Sequence, residues 1–341
     1  MTVRRVLAAP DKFKGTATAH DIASAIGHAC WEAGVDVVEL PMSDGGDGLL
    51  GVLGGANRTS QVTGPLGSPV DAAWRMHGGT AVIEIAAASG LVLAGNAEGN
   101  DPLAATTAGV GELIDRALDA NARRIIVGLG GSATTDGGYG AIRAMNGIAR
   151  LENVELLVAC DVETRFVDAA RVFAPQKGAT PSEVKLLTNR LQRLVQMFAE
   201  EFNVDIAELR GGGAAGGLAG ALAALGGRLV PGVELVADEL DLFDHLVAEP
   251  PDVVDLVITG EGALDATSFD GKVVGGLLKF ADEVGVPVVA VVGSADADVV
   301  EAWSGRLEVI VLADRFGVER SRSEPKACVT EAVAARLGER S

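Results

Sequence analysis

Acidic and lysine side chains in this sequence recur beside glycines, at points where the residue pattern predicts the ends of strands. Carboxylates can hold Mg²⁺ or accept the proton of a hydroxyl group, and a lysine ammonium can neutralise a phosphate or a carboxylate. A single Asp-Gly pair is more often a turn than a metal site, so the concentration of such groups is the informative observation. The acids are Asp11, Asp44, Asp47, Asp136, Asp161, Glu261 and Asp265, and the lysines are Lys12, Lys14, Lys177 and Lys272. Together they provide the parts that phosphoryl transfer requires.

The stretch 125–140 combines a predicted buried strand, residues 125–127, with a loop of glycines and hydroxyl residues. Glycines let backbone N–H groups approach an anion closely, and Ser132 and Thr134 can donate to phosphate oxygens. Asp136 could hold a metal ion. A strand that ends in such a loop and then enters a helix suits phosphate binding, although a tight turn without a ligand fits this stretch equally well.

Two glycine patterns keep a dinucleotide as a possible cofactor among the alternatives. They are Gly-x-Gly-x-x-Ala at 128–133, after a predicted strand, and Gly-x-Gly-x-x-Gly at 211–216, before a predicted helix. Neither lies in a βαβ unit at the start of the chain, and no Gly-x-x-x-x-Gly-Lys-Ser/Thr motif occurs. An NAD-dependent oxidoreductase is therefore kept as an alternative.

The elements that must position these residues are predicted from the apolar pattern. Strands over 3–9 and 35–40 flank a helix that starts near residue 18 or 20, and this βαβ unit brings the loops 10–16 and 43–48 to one sheet edge. Three short strands follow as an antiparallel meander at 58–63, 72–77 and 81–85. Further strands are predicted at 125–127, 154–159, 256–259, 286–292 and 307–312, and further helices at 107–120, 181–202 and 323–338.

The length and the order of these patterns predict two domains. The chain has 341 residues, and the βα pattern of residues 1–60 returns late in the chain. We therefore expect one discontinuous α/β domain, residues 1–60 and 240–341, with a second α/β domain, residues 61–239, inserted into it.

Composition excludes several classes of function. The net charge is −19 without a basic face, so we expect no nucleic-acid partner. The three cysteines and four histidines have no spacing typical of a disulfide framework or a zinc site. No apolar run approaches the length of a membrane span, and no signal peptide is predicted, so the cytoplasm is the expected location.

Nine motifs, in the same order along nearly the whole chain, resemble the glycerate kinase family of the bacterial class I type. They lie at 9–15, 43–48, 84–91, 111–114, 130–138, 159–162, 173–179, 213–218 and 258–265. The resemblance implies phosphorylation of D-glycerate to a phosphoglycerate, with ATP and Mg²⁺. It also implies a two-domain α/β fold in which one domain is Rossmann-like and discontinuous, the other is an inserted mixed α/β domain, and the active site lies in the cleft between them.

Site residues are assigned on these motifs, and Lys272 on its position beside a glycine after the last of them. Lys14 and Lys272 are expected to neutralise phosphate or substrate carboxylate, and Asp161 or Asp265 to act as the base for the substrate hydroxyl. The predicted phosphate- or nucleotide-binding residues are Gly130, Gly131, Ser132, Thr134, Gly260, Glu261 and Gly262, and the predicted Mg²⁺ ligands are Asp44, Asp47 and Asp136.

The sequence departs from the family pattern in four places. Ser43, Asp47 and Leu49 replace the family's Ala, Glu and Thr, and a segment around 146–153 is shortened. Residues 162–170 lack the family's Asn-Pro-Leu and the Gly-Ala that follows it, and Thr267 stands where the family has Gln. A diverged, non-catalytic ligand-binding protein is therefore a second alternative. The sequence leaves open the position that is phosphorylated and whether the chain forms a homo-oligomer.

Overall fold

The computed structural model describes residues 3–338, and within them the chain forms two compact units. The first unit combines residues 3–44 with 232–338, and the second is the continuous stretch 45–231. The predicted domain boundaries near residues 60 and 240 stay predictions, and the units themselves change at residues 44/45 and 231/232.

The described residues contain eleven strands and sixteen α-helices. The strands are β1 (Arg5–Ala8), β2 (Asp36–Glu39), β3 (Arg58–Thr63), β4 (Pro69–His77), β5 (Thr80–Glu84), β6 (Arg124–Gly128), β7 (Glu155–Ala159), β8 (Arg228–Val230), β9 (Leu256–Leu264), β10 (Val288–Ala295) and β11 (Glu308–Val311). The helices are α1 (Ala19–Glu32), α2 (Leu49–Val52), α3 (Ile85–Ser89), α4 (Asn96–Gly99), α5 (Ala108–Asp119), α6 (Tyr139–Ala144), α7 (Ala169–Phe173), α8 (Pro181–Phe202), α9 (Leu218–Ala224), α10 (Gly232–Glu239), α11 (Leu242–Leu246), α12 (Val273–Val284), α13 (Ala297–Trp303), α14 (Leu312–Phe316), α15 (Val318–Ser323) and α16 (Pro325–Gly338).

The first unit is built on a five-stranded parallel sheet with the order β11-β10-β9-β1-β2. Its strands are rich in Val, Ile and Ala because a parallel sheet is covered by helices. Helix α1 begins where the Thr18 side chain accepts the Asp21 N–H in a capping box, and its apolar residues pack with those of α16 in the core. The strand order runs outward in opposite directions from β1 and β9, so these two strands form the topological switch point.

The second unit contains a six-stranded mixed sheet with the order β3-β4-β5-β6-β7-β8. The strands β3, β4 and β5 are antiparallel neighbours, as the meander predicts, and β5 to β8 are parallel. Helix α8 begins with Pro181 after a Thr180 capping box, and it packs with α7 and α9 over a continuous apolar core. The predicted α/β fold class is confirmed in both units.

Three segments contain elements that the sequence pattern does not predict. Residues 86–91 are predicted as a loop or turn, but α3 occupies most of them. Residues 229–249 carry no clear pattern, yet they contain the end of β8 and the helices α10 and α11. The predicted loop 260–265 is largely strand, because β9 continues to Leu264 and pairs with β10 along its length.

Cys30, Cys160 and Cys328 are free thiols, and burial raises the pKa of Cys30 to about 12. Among residues 3–338, no helix is long and apolar enough to cross a bilayer.

Candidate active site

The carboxyl ends of β1, β2 and β9 place a group of charged side chains at one edge of the first unit's sheet. The loop after β1 is fixed to β9 because the Asp11 N–H donates to the Gly260 carbonyl at 2.8 Å and the Thr259 hydroxyl donates to the Ala9 carbonyl at 2.9 Å. Ligands of open α/β sheets bind beyond the carboxyl ends of the strands at the switch point. The β1–β9 edge is therefore the position where this fold would hold a ligand.

Asp11 and Asp44 lie on either side of the Lys12 ammonium. Lys12 Nζ is 3.5 Å from Asp11 Oδ1 and 3.8 Å from Asp44 Oδ1. Burial raises the pKa of Asp11 to about 6, the charge of Lys12 acts against this rise, and the carboxylate of Asp44 adds to it. Two carboxylates that share one cation in this way also suit a divalent ion.

Glu261 is a buried carboxylate in β9. Its side chain is 8% exposed, and Oε1 has no hydrogen-bond partner among the described residues. Burial raises the pKa of Glu261 to about 7, although a hydrogen bond with Ser268 and the charge of Lys272 both act to lower it. An acid of this kind can hold or accept a proton near neutral pH.

The glycines on either side of Glu261 serve close backbone packing within the sheet. A Cβ on Gly260 would lie 2.1 Å from the Val291 carbonyl oxygen, and one on Gly262 would lie 3.2 Å from the backbone nitrogen of Lys14. Glycine inside a strand marks such an approach. The phosphate-binding role predicted for Gly260 and Gly262 stays a prediction, and both residues lie in a strand rather than in a loop.

Lys272, Thr267 and Asp265 form a chain of polar contacts after β9. Lys272 Nζ donates to the Thr267 hydroxyl at 2.6 Å and lies 3.8 Å from Asp265 Oδ1. The Thr267 hydroxyl and N–H both donate to Asp265, at 2.5 and 2.8 Å, and they lower the pKa of Asp265. Thr267, a departure from the family pattern, thus links the two predicted site residues. Lys14 is exposed in the loop after β1.

In the second unit, the glycine-rich loop, residues 129–138, follows β6. Ser132, Thr134 and Thr135 are buried in it, whereas Gly131 is exposed. A Cβ on Gly130 would lie 2.5 Å from the backbone nitrogen of Asp47, so the glycine allows residues 46 and 47 to pack against the loop. The predicted residues Gly130, Gly131, Ser132 and Thr134 therefore lie together at the carboxyl edge of this sheet.

Asp136 holds the starts of two helices. Its Oδ2 accepts hydrogen bonds from the N–H and the hydroxyl of Thr107, at 2.8 and 2.9 Å, and from the Gly140 N–H at 3.1 Å. Its Oδ1 accepts the Gly138 N–H at 3.0 Å. The carboxylate thereby satisfies N–H groups at the first turns of α5 and α6. Its role as a Mg²⁺ ligand stays a prediction.

Two predicted residues of the second unit remain, Asp47 and Asp161. Asp47 is exposed in the loop before α2, and Asp161 is half-buried after β7. Among the described residues, no three His, Cys, Asp or Glu side chains form a group that could hold a metal ion. Since Mg²⁺ usually takes only one or two carboxylates and completes its shell with water and phosphate, the pair Asp11 and Asp44 still fits it.

Two buried charged residues are predicted as candidates from their positions beside glycine- or proline-containing loops, but the sequence gives neither an individual role. Asp11 follows β1, and Lys177 is 4% exposed and donates to the Ser132 hydroxyl at 2.8 Å. Both lie in motifs of the family pattern, 9–15 and 173–179, and both stand next to glycine- or proline-containing loops. The residue types and the neighbouring loops indicate these two residues in the sequence, but their burial depends on segments that are distant along the chain.

Comparisons with known proteins identify the family to which the chain is similar. The model of the glycerate kinase family matches residues 6–149 and 145–335. Glycerate 2-kinase of Escherichia coli K12 is 38% identical over 335 residues, and glycerate kinase of Bacillus subtilis 168 is 38% identical over 334 residues. Each alignment covers 86% of this chain and 86% of the relative. A crystal structure from Salmonella typhimurium LT2, of a protein assigned as glycerate kinase 2, superposes with a TM-score of 0.80 at 32% identity and covers 100% of both chains.

Proposed function

This chain belongs to the glycerate kinase family, and we propose from that membership that it transfers a phosphoryl group from ATP to a hydroxyl group of D-glycerate. Relatives with glycerate kinase names align over most of the chain, which favours a kinase over an NAD-dependent oxidoreductase and over a non-catalytic binding protein. Glycerate is a small anionic acceptor, so the site must neutralise both its carboxylate and the phosphates of the nucleotide.

The observation that carries the proposal is the charged edge at β1 and β9. It combines the carboxylates of Asp11 and Glu261 with the ammonium groups of Lys12 and Lys272. Phosphoryl transfer depends on positioning and on electrostatic stabilisation of the transferred group rather than on covalent chemistry by the protein. The lysines suit the neutralisation of phosphate oxygens, and the exposed Lys14 is proposed to do the same.

Magnesium would be held in this unit by Asp44 together with Asp11. When bound, the ion would neutralise phosphate charge and would replace part of the role that Lys12 has between the two carboxylates. Asp47 and Asp136 are kept as further proposed ligands from the sequence.

A carboxylate must also accept the proton of the attacking hydroxyl. Asp265 is a weak candidate, because the Thr267 hydrogen bonds hold its pKa below the usual range. Glu261 suits the role better, since its pKa of about 7 and its unpartnered Oε1 leave it able to take up a proton. Asp161 is retained as the proposed base from the second unit.

A coupled assay of ADP release tests the function. We expect turnover that requires D-glycerate, ATP and Mg²⁺ together, with no reaction when NAD replaces ATP. A chain that folds but gives no turnover with glycerate or with related hydroxy acids would overturn the proposal. Product analysis by phosphorus NMR identifies which hydroxyl receives the phosphoryl group.

Lys272→Met tests the cation at the edge, with Lys279→Met as its matched control. Both lysines belong to the α12 region and lie 3.8 Å from a carboxylate, Lys272 from Asp265 and Lys279 from Glu234. We expect Lys272→Met to lower kcat/KM by about 100-fold or more, as loss of one electrostatic donor does. Lys279→Met should leave kcat/KM unchanged. Equal effects of the two variants would remove Lys272 from the site.

A further inference from the structure

Lys177 is a buried lysine whose side-chain ammonium donates hydrogen bonds to the glycine-rich loop. Its Nζ donates to the Ser132 hydroxyl at 2.8 Å and to the Thr134 carbonyl at 2.6 Å. A buried ammonium is unfavourable unless it is hydrogen-bonded, so the loop and the lysine stabilise each other. The two contacts reach the loop on either side of Ala133.

A second side chain fixes the same segment. Asn100 Nδ2 donates to the Ala133 carbonyl at 3.1 Å and to the Lys177 carbonyl at 2.9 Å, so it joins the loop to the segment that carries the lysine. The Ala133 N–H donates to the Ser89 carbonyl at 2.9 Å. The segment from Ser132 to Thr134 is therefore held from three directions.

The backbone N–H groups at the start of the glycine-rich loop lack hydrogen bonds of this kind among the described residues. Among the described residues, no hydrogen bond has the N–H of Gly130, Gly131 or Ser132 as its donor. Gly131 is exposed and Gly130 is half-buried, so solvent and solutes reach this part of the loop. Successive unpaired N–H groups next to a cation are the usual features of an anion site.

We propose that Lys177 is the positioning residue of the glycine-rich loop, fixing it through Ser132 and Thr134 and supplying the positive charge with which the loop holds an anionic group of a substrate. The anionic group is a phosphate of the nucleotide or the carboxylate of the hydroxy acid, which share this chemistry. The proposal rests on the proposed function and extends it to residues of the second unit.

A change in the protonation of Lys177 when an anion binds can be measured. Burial lowers the pKa of Lys177 to about 7, and the carboxylate of Asp136 is the charged group that acts against this fall. An anion bound at the loop favours the charged amine and raises its pKa. At pH 8 binding is therefore accompanied by proton uptake, whereas at pH 6 the amine is already charged and no uptake is expected.

Isothermal titration calorimetry of the full chain tests this, with D-glycerate and ATP titrated separately at pH 8 and pH 6. Each titration is run in two buffers with different ionisation enthalpies, so that proton uptake is measured directly. We expect uptake of more than about 0.5 proton at pH 8 for one of the two ligands, which identifies the anion that the loop holds. Absence of uptake for both ligands in the wild-type chain would overturn the proposal.

Variants separate a positioning role from a merely structural one. We expect Lys177→Met to weaken binding of that ligand by about 10- to 100-fold and to abolish proton uptake. Lys177→Arg keeps a permanent charge, so it should restore much of the affinity without any uptake. The control is Lys185→Met, at an exposed position of α8, which should behave as wild type. Unchanged uptake in Lys177→Met would contradict the proposal.

The wild-type measurement stands even if a Lys177 variant fails to fold. The kinase assay is read separately: turnover without proton uptake means that this inference fails while the proposed function holds. No turnover, with uptake on binding glycerate or ATP, means that the proposed function fails while the loop still holds an anion.

Discussion

At the scale of single residues, the structure buries charged groups that are unfavourable for folding. Glu261 is the clearest example, because its carboxylate is buried with one oxygen unpartnered although Lys272 and Ser268 are near. Such a group lowers the stability of the ionised protein, and proteins retain it where activity requires it. Glu261 therefore links the stability of the first unit to its chemistry.

Glu261→Gln should be more stable than the wild type at pH 8 and less active. The folded pKa of about 7 lies above the usual 4.5, so the folded state holds the proton more tightly, and the protein loses stability as pH rises from about 4.5 to about 7. We expect the variant to raise the free energy of unfolding by about 2 to 3 kcal/mol at pH 8, and by less than about 1 kcal/mol at pH 5. Urea denaturation at both pH values measures the difference.

The exposed Glu283 of α12 provides the control for this prediction. Glu283→Gln should leave the free energy of unfolding unchanged at both pH values, because its carboxylate is solvated. A Glu261→Gln variant that is less stable than the wild type at pH 8 would mean that the carboxylate makes favourable contacts as an anion, and would contradict its role as a proton acceptor.

The sequence predicts the residue types of the candidate site but not the environment of each side chain. Lys272 and Asp265 were predictable because they follow a strand of a βα pattern, whose carboxyl end is where ligands bind. The burial of Lys177 was not, because it depends on Ser132, 45 residues away along the chain. The glycine neighbours of Asp136 predict a metal ligand, which stays a prediction, and no local pattern reveals that its carboxylate accepts the N–H and the hydroxyl of Thr107.

At the scale of elements, several glycines mark positions where two backbone segments approach each other closely. Local pattern predicted the parallel strands and the capped helices α1 and α8, since apolar period and capping residues are local signals. It did not predict that β9 continues through Gly260 and Gly262, because these glycines are selected by contacts with Val291 and with the loop after β1. A glycine in a sequence can indicate a turn or a close approach, and only the partner strand distinguishes them.

Gly216→Ala should disturb the glycine-rich loop much more than Gly226→Ala. Both glycines have a positive φ, +66° and +88°, but a Cβ on Gly216 would lie 2.0 Å from the Thr134 carbonyl oxygen, whereas one on Gly226 meets nothing within 4 Å. We expect Gly226→Ala to lower the free energy of unfolding by about 1 kcal/mol from backbone strain alone. Gly216→Ala should add overpacking and lower it by about 3 kcal/mol or more.

Chemical denaturation of the two variants measures these values, and the kinase assay shows whether the loop has moved. We expect Gly226→Ala to keep the wild-type KM values and Gly216→Ala to raise at least one of them. Equal losses of stability would show that strain at positive φ, rather than contact with the loop, determines the effect at residue 216.

At the scale of the whole molecule, the two units differ in how the chain builds them. The second unit is one continuous stretch, residues 45–231, with its own six-stranded sheet and its own apolar core. The first unit needs both ends of the chain, because β1 and β2 come from the N-terminal segment and β9, β10 and β11 from the C-terminal segment. Its core likewise joins Ile22 and Ile26 of α1 to Val329 and Val333 of α16.

This difference predicts how fragments of the chain behave. A fragment of residues 45–231 should fold alone, with a cooperative thermal transition, because all strand neighbours and core residues of its sheet are retained. A fragment of residues 232–341 should not fold, because it leaves the edge of β9 unpaired and uncovers the apolar side of α16. Adding a peptide of residues 1–44 should restore secondary structure to it. Circular dichroism and thermal melts of the fragments measure both expectations, and a cooperative transition in residues 232–341 alone would contradict the requirement for β1.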